Sequence, residues 1–239
     1  MKILFLVTED WYFCIHRLPI ARMLRDSGWD VVIVTRVRNH RAQIEAEGFR
    51  LIPLDWDRRS LNPFKGLINI IRIIGIYKQQ SPDLVHLVAI KPSVYGSIAA
   101  VFFPSIAVVN NLAGLGHVFS CPGPLLSVLR KALIIAFRIL FNRPKSRTIV
   151  ENSDDRAFLV DQVGVKGGLA VVIRGIGIDV QRLCPTAEAK GVLVAAMVSR
   201  MIQTKGVADL VAAAGILRQR HVAASEPCHH VFVAIARAK

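Results

Sequence analysis

With 239 residues, the chain has room for one large domain, or for one domain and part of another. At 53% hydrophobic and 20% charged it can build a sizeable core, which excludes a disordered chain. Its 31 Lys and Arg against 17 Asp and Glu leave a formal charge of +14, which directs it to nucleic acid, a phosphorylated substrate or an anionic membrane face, without choosing among them.

The opening run, MKILFLVTEDW, is too short for a secretory leader with its cleavage site and reads as a buried first strand. Further strands are predicted over Val31–Val34, Arg50–Leu54, Leu84–Val88, Ile106–Val109, Thr148–Val150 and Ala170–Ile173. These runs are apolar at nearly every position, which suits strands covered on both faces of a parallel sheet. Helices fit between them. His16–Ser27 stops at Gly28, and Asn62-Pro63 supplies a cap and a first-turn proline for a helix to about Gln79. Pro92–Phe103, Pro124–Phe141 and Ser153–Val163 follow. The alternation implies an α/β, doubly wound sheet with ligands at the carboxyl ends of its strands.

The stretch from Pro92 to Leu129 lacks Asp, Glu, Lys and Arg and so raises the question of a membrane span. Pro104, Asn110, Asn111 and several glycines interrupt it, and an α/β core explains it better. After Asp179 the texture turns polar. The expected division is a first domain over 1–183, a linker over 184–191 and the opening of a second domain over 192–239, with a strand at Val192–Val198 and a helix at Gly206–Arg218.

Cys14, Cys121, Cys184 and Cys228 form no CxxC pair and no zinc or disulfide spacing, in keeping with a reduced cytoplasmic compartment. Cys228-His229-His230 looks metal-like, but adjacent residues chelate one ion poorly, so no metal site is expected. There is no GxGxxG after the first strand, no P-loop and no GxSxG elbow.

Four segments are candidates for chemistry. The first loop, Thr8–Arg17, joins two carboxylates to aromatic rings, a His and an Arg. Glu9, Trp11, Tyr12, His16 and Arg17 suit a sugar or base with its hydroxyls and phosphates, or else the rings simply cap the core. Asn111, Gly114 and His117 follow the fifth strand, where glycine lets a ligand approach the backbone; a lone His is more often structural. Arg174 precedes a glycine-rich hinge, Gly175–Asp179, as a cleft residue or an ordinary surface Arg. Arg200 and Lys205 stand five apart before a helix start, an arrangement that can hold a diphosphate and stabilise it as a leaving group. Two basic amphipathic helices, Phe64–Lys78 and Leu125–Lys145, suit an anionic bilayer interface or serve as crossover helices.

Taken together and in order, KILFLVTEDWYFCIHRLPIA, RRSLNP, DLVHLVAIKPSVYGSIAA, NLAGLGHVF, VENSDD, IRGIGID and VSRMIQTKG resemble glycosyltransferase family 4, in particular bacterial enzymes of surface-polysaccharide synthesis. The resemblance covers about residues 1–218. It implies a GT-B architecture of two Rossmann-like domains, the first receiving the acceptor and the second binding a nucleotide sugar, UDP- or GDP-linked. It further implies a retaining transfer without a metal ion or other cofactor. Arg200 and Lys205 match the family positions that contact the donor diphosphate. The acceptor implied is a polyprenyl-diphosphate-linked sugar, and the place is the inner face of the plasma membrane. The family's later Glu pair has no match, so no catalytic residue is assigned. After Gln219 the sequence no longer resembles the family's next strand and glycine. The expectation is therefore a truncated or frame-shifted second domain, which leaves the activity of this chain to be measured. A non-catalytic, membrane-associated remnant is the alternative. A nucleic-acid partner is not expected, because the basic residues are scattered and no helix-turn-helix, zinc-finger or RNA-binding signature is present.

Overall fold

A computed structural model describes residues 1–56, 60, 62–115, 118–119, 123–175, 177, 180–181, 183–187, 194–199, 205–224 and 230–232. The first strand, β1 (Lys2–Glu9), is buried at every position from Ile3 onward, which is what the unbroken apolar run requires of a central strand. Around it lie β2 (Asp30–Arg36), β3 (Arg50–Pro53), β4 (Leu84–Val88), β5 (Ala107–Leu112), β6 (Ser146–Val150) and β7 (Ala170–Val172). All pair in parallel, in the order β3-β2-β1-β4-β5-β6-β7. The order reverses between β1 and β4, so the crevice of this Rossmann-like sheet opens beyond their carboxyl ends.

The helices cover both faces. On one, α4 (Pro63–Gln80) and α5 (Ile90–Val101) lie over Leu4, Leu6, Val32, Val85 and Leu87, with Ile73 and Tyr77 between them. On the other, α1 (Asp10–His16), α2 (Leu18–Asp26) and α3 (Arg41–Glu45) meet Ile3, Phe5, Val7 and Ile33 through Phe13, Leu18, Ala21 and Ile44. The alternation of Ile3, Phe5 and Val7 with Leu4 and Leu6 is the period-2 rule of a strand covered on both sides. Beyond β5, α6 (Pro124–Leu140) packs Phe137 and Leu140 against Leu112, Val150 and Leu159. A short α7 (Ser153–Ala157) continues into a π-helical turn at Phe158–Val163, which ends on left-handed Gly164.

Local chemistry fixes the ends of these helices. The Asn62 side chain accepts from the backbone N–H groups of Phe64 and Lys65, capping α4, and Pro63 occupies its first turn. Asn152 caps α7 by accepting from Asp155. α5 lies close on the sheet at Gly96, where a Cβ would stand 2.5 Å from Leu87 Cδ2 and 2.9 Å from the Tyr77 hydroxyl. No helix among the described residues is long and apolar enough to cross a membrane. The apolar stretch from residue 92 instead forms most of α5, then β5.

The chain divides into two compact units, Met1–Gly177 and Ile178–Lys239, so the boundary falls ahead of the expected residue 183 and inside the glycine-rich hinge. Residues 183–187 are exposed and irregular; residues 188–191 of the expected linker lie outside the described residues. In the second unit, β8 (Val194–Ala196) pairs in parallel with β9 (His230–Phe232), and α8 (Val207–Ala224) lies between them in sequence. β9 lies in the segment after Gln219, which does not resemble the family's next strand and glycine. The edge positions of the sequence expectation also shift. α3 was not predicted, and the stretch read as the first loop is largely helical.

Candidate functional site

β1 runs directly into α1, with Glu9 as the residue before the helix. Aromatic packing drives this early turn: Phe13 is fully buried, edge-on to Phe5 at 5.9 Å and to Phe49 at 6.4 Å. Asp10 pins it. One carboxylate oxygen accepts from the Trp11 N–H at 2.7 Å, the other from those of Arg38 at 2.6 Å and His40 at 3.0 Å. Burial alone would raise the Asp10 pKa, but the backbone donors of Arg38, His40 and Trp11 outweigh it and hold the carboxyl below the usual carboxylate range. Asp10 therefore ties the end of β1 to the chain leaving β2.

Several predicted residues meet at the crevice. Glu9 is buried, with its carboxylate 3.3 Å from Arg38 Nε and 3.9 Å from Arg36 Nη1. Arg17 is only 4% exposed and donates from Nη2 to Asn111 Oδ1 at 3.0 Å, joining α1 to the end of β5. Its Nε has no hydrogen-bond partner among the described residues. A buried guanidinium whose one side-chain partner among the described residues is a neutral amide is suited to an anion or a set of hydroxyls. Burial, then the Arg17 charge, depresses both His16 and His86, the latter to about 3, so both rings are neutral near pH 7. Trp11 and Tyr12 stand edge to face at 5.6 Å, and Tyr12 tilts over His16 at 4.3 Å, all three half-buried. Cys14, beside them, is pushed up to about 11 by burial and then by the Asp10 and Glu47 charges, which leaves no thiolate nucleophile here.

The backbone beyond β4 is strained. Ala89 has φ 79 and ψ 168, a region essentially confined to glycine, and its N–H donates to the Asn111 carbonyl at 2.9 Å. Gly114, at φ 80, turns the chain after β5. The remaining predictions scatter. Arg174 is exposed past β7, four strand positions from β1, roughly 19 Å at about 4.8 Å per strand. Lys205 is exposed in the second unit, just before left-handed Gly206 and α8. His117 and Arg200 lie outside the described residues, as do Cys228 and His229 of the metal-like triplet.

Next to Glu9 lies a cavity of about 330 Å³. Trp56 lines it, buried and anchored by a 3.2 Å hydrogen bond from Nε1 to the Thr8 carbonyl. Arg36, Lys65, Arg72 and Lys91 line it, and Asp55 is the one carboxylate among its described lining residues. Arg36 bridges cavity and crevice, 3.6 Å from Asp55 and 3.9 Å from Glu9. Lys91 Nζ donates to the Ser60 carbonyl at 2.8 Å. No linear signal marked this cavity, because its walls come from three separate stretches of chain.

Residues 2–153 match the glycosyl transferase 4-like family. A relative in Campylobacter jejuni, N,N'-diacetylbacillosaminyl-diphospho-undecaprenol alpha-1,3-N-acetylgalactosaminyltransferase, is 22% identical over 217 residues. That similarity takes in 85% of this chain but only 57% of the relative. Among solved structures, a glycosyltransferase from Rickettsia africae superposes with a TM-score of 0.67 at 17% identity, over 98% of this chain and 59% of that one. Anabaena HepE in complex with UDP and glucose gives 0.62 at 18% identity, over 100% and 70%. At these identities the structural likeness establishes the fold, that of GT-B glycosyltransferases.

Proposed function

Because the chain belongs to the glycosyl transferase 4-like family, we propose that it serves transfer of a sugar from a nucleotide sugar to a polyprenyl-diphosphate-linked sugar at a membrane surface. One observation carries the reading: the family match spans the unit whose strand ends gather Glu9, Arg17 and Asn111, with an electropositive cavity alongside. The Campylobacter relative, by its name, acts on a diphospho-undecaprenol-linked sugar, and HepE was crystallised with UDP and glucose. Both support the substrate classes. We assign the acceptor to the first unit, where the buried Arg17–Asn111 pair can orient hydroxyls or a phosphate and the Trp11–Tyr12 rings can face a sugar. The donor diphosphate falls to Arg200 and Lys205 of the second unit, whose cations would stabilise the departing nucleoside diphosphate without a metal ion. In this reading transfer retains the anomeric configuration, and the work is done on the cytoplasmic face of the membrane.

The donor assignment is tested by titrating UDP- and GDP-sugars into the chain and into Lys205→Ala and Arg200→Ala. The expected result is saturable binding of one donor, weakened about tenfold or more in each variant, the loss of one charge-assisted contact. Unchanged affinity in both variants would remove these residues from the donor site.

A further inference from the structure

Among the described residues a further cavity, also of about 330 Å³, lies at the edge of the sheet away from the crevice. The last turn of α4 supplies Tyr77 and Lys78 to it, and the chain leaving α5 supplies Phe103, Ser105 and Ile106. Asp83 and Ile106 immediately precede β4 and β5, so the cavity sits at the amino ends of these strands. The length of β4, roughly 17 Å at about 3.3 Å per residue, separates it from the crevice. Its volume is within the range of small-ligand pockets.

The apolar part of the wall is aromatic. The Tyr77 and Phe103 rings stand edge to face at 6.2 Å, and Pro82 and Ile106 adjoin them. Such a wall suits a flat apolar ring. The polar groups divide by what they already bond. The acceptors are in use: the Lys78 carbonyl takes the Ser81 hydroxyl at 3.3 Å, and the Phe103 carbonyl takes Arg143 Nη2 at 3.2 Å. The Ser105 carbonyl takes Lys145 Nζ at 3.4 Å. Asp83, the one carboxylate among the described lining residues, accepts from the Lys2 N–H at 2.6 Å.

The donors, in contrast, are unspent. The Lys78 ammonium has no hydrogen-bond or ion-pair partner among the described residues, and it lies at the exposed mouth. Tyr77 is 1% exposed, and its hydroxyl, like Arg143 Nη1, is buried with no hydrogen-bond partner among the described residues. Burial raises the Tyr77 phenol above its ordinary value, and the Arg143 charge opposes this only in part, so the hydroxyl stays a neutral donor. Buried donors without partners are costly in an empty site and favour one that takes up acceptors. Lys78, Arg143 and Lys145 also leave the region positive against the single Asp83.

We propose that this cavity is a binding site for a small aromatic carboxylate, its ring between Tyr77, Phe103 and Pro82 and its carboxylate on the Lys78 ammonium. The site is separate from the crevice and does not rest on the function proposed above. Its occupant joins the end of α4 to the start of β5 and leaves the nucleotide-sugar and acceptor positions open.

The experiment is a ligand-observed NMR titration of the 239-residue chain with benzoate, with benzyl alcohol and cyclohexanecarboxylate as probes that lack the charge or the aromatic ring. The expected result is saturable benzoate binding in about the millimolar range, as a ligand of so few atoms allows. Both control probes should bind about fivefold or more weaker, and so should benzoate to Lys78→Ala and to Phe103→Leu. Lys78 is an exposed side chain, so its removal leaves the fold intact, and circular dichroism verifies this for both variants. UDP- and GDP-sugars should not displace benzoate. Absence of saturable binding, or affinity unchanged in Lys78→Ala, would overturn the proposal. Displacement by a nucleotide sugar would overturn it too, by placing benzoate in the transfer site. Cyclohexanecarboxylate bound as tightly as benzoate would overturn the aromatic class of the ligand.

Discussion

His86 illustrates how a single buried group ties the site to stability. It stacks on Phe5 at 5.1 Å on β4, and burial, followed by the Arg17 charge, holds its pKa down to about 3. In the unfolded chain a His titrates near 6.5. Below that pH the unfolded state takes up a proton that the folded state refuses, so stability is fully present above 6.5 and declines as the pH falls toward 3. The expected loss between pH 7 and pH 5 is about 2 kcal/mol from this residue. Urea unfolding at the two pH values checks it: His86→Phe, which keeps an aromatic ring against Phe5, should lose correspondingly less stability over that interval. An identical acid dependence in the variant would remove His86 as its source. Arg17 is the companion lesson. Its position in HRLP was legible as a polar residue near a ligand edge, but its burial and its pairing with Asn111, 94 residues away, are properties of the fold alone.

Among the elements, those with unbroken apolar runs were the most legible. β4 was predicted at its observed bounds, and the cap and proline of α4 appear where Asn62-Pro63 placed them. α1 was not, because Asp-Trp-Tyr-Phe-Cys-Ile-His carries no helix period of its own. It becomes a helix through Phe13 packing on Phe5 and Phe49 and through the Asp10 bonds to Arg38 and His40. The cavity was invisible for a related reason: Arg36, Trp56, Lys65 and Lys91 share no linear spacing and meet only once β2, α4 and α5 are assembled. The α4–α5 layer depends on two glycines, which differ in what a methyl group would strike. At Gly96 it would meet Leu87 on the sheet, so Gly96→Ala should cost about 1–3 kcal/mol in thermal or urea unfolding. At Gly66 it would meet only the Tyr95 ring end at the cavity wall. Gly66→Ala should therefore cost less stability. The reverse ranking would contradict this packing.

For the molecule as a whole, the seven-stranded parallel unit carries the family match, and the second unit contributes a short parallel pair with α8. The +14 charge was legible as attraction to an anion, though composition alone left nucleic acid, phosphate and membrane equally open. Four of those cations line one cavity of the first unit beside an exposed apolar stripe on α4. The chain spans 57% of the Campylobacter relative, so transfer itself is the claim most in need of direct measurement. The decisive assay follows labelled sugar from UDP- and GDP-sugars to a polyprenyl-diphosphate-linked sugar in mixed vesicles, with the purified chain as the only protein. Transfer from one donor, lost in Lys205→Ala, is the predicted result. No transfer from any donor, by a chain that is folded and bound to the same vesicles, would contradict it.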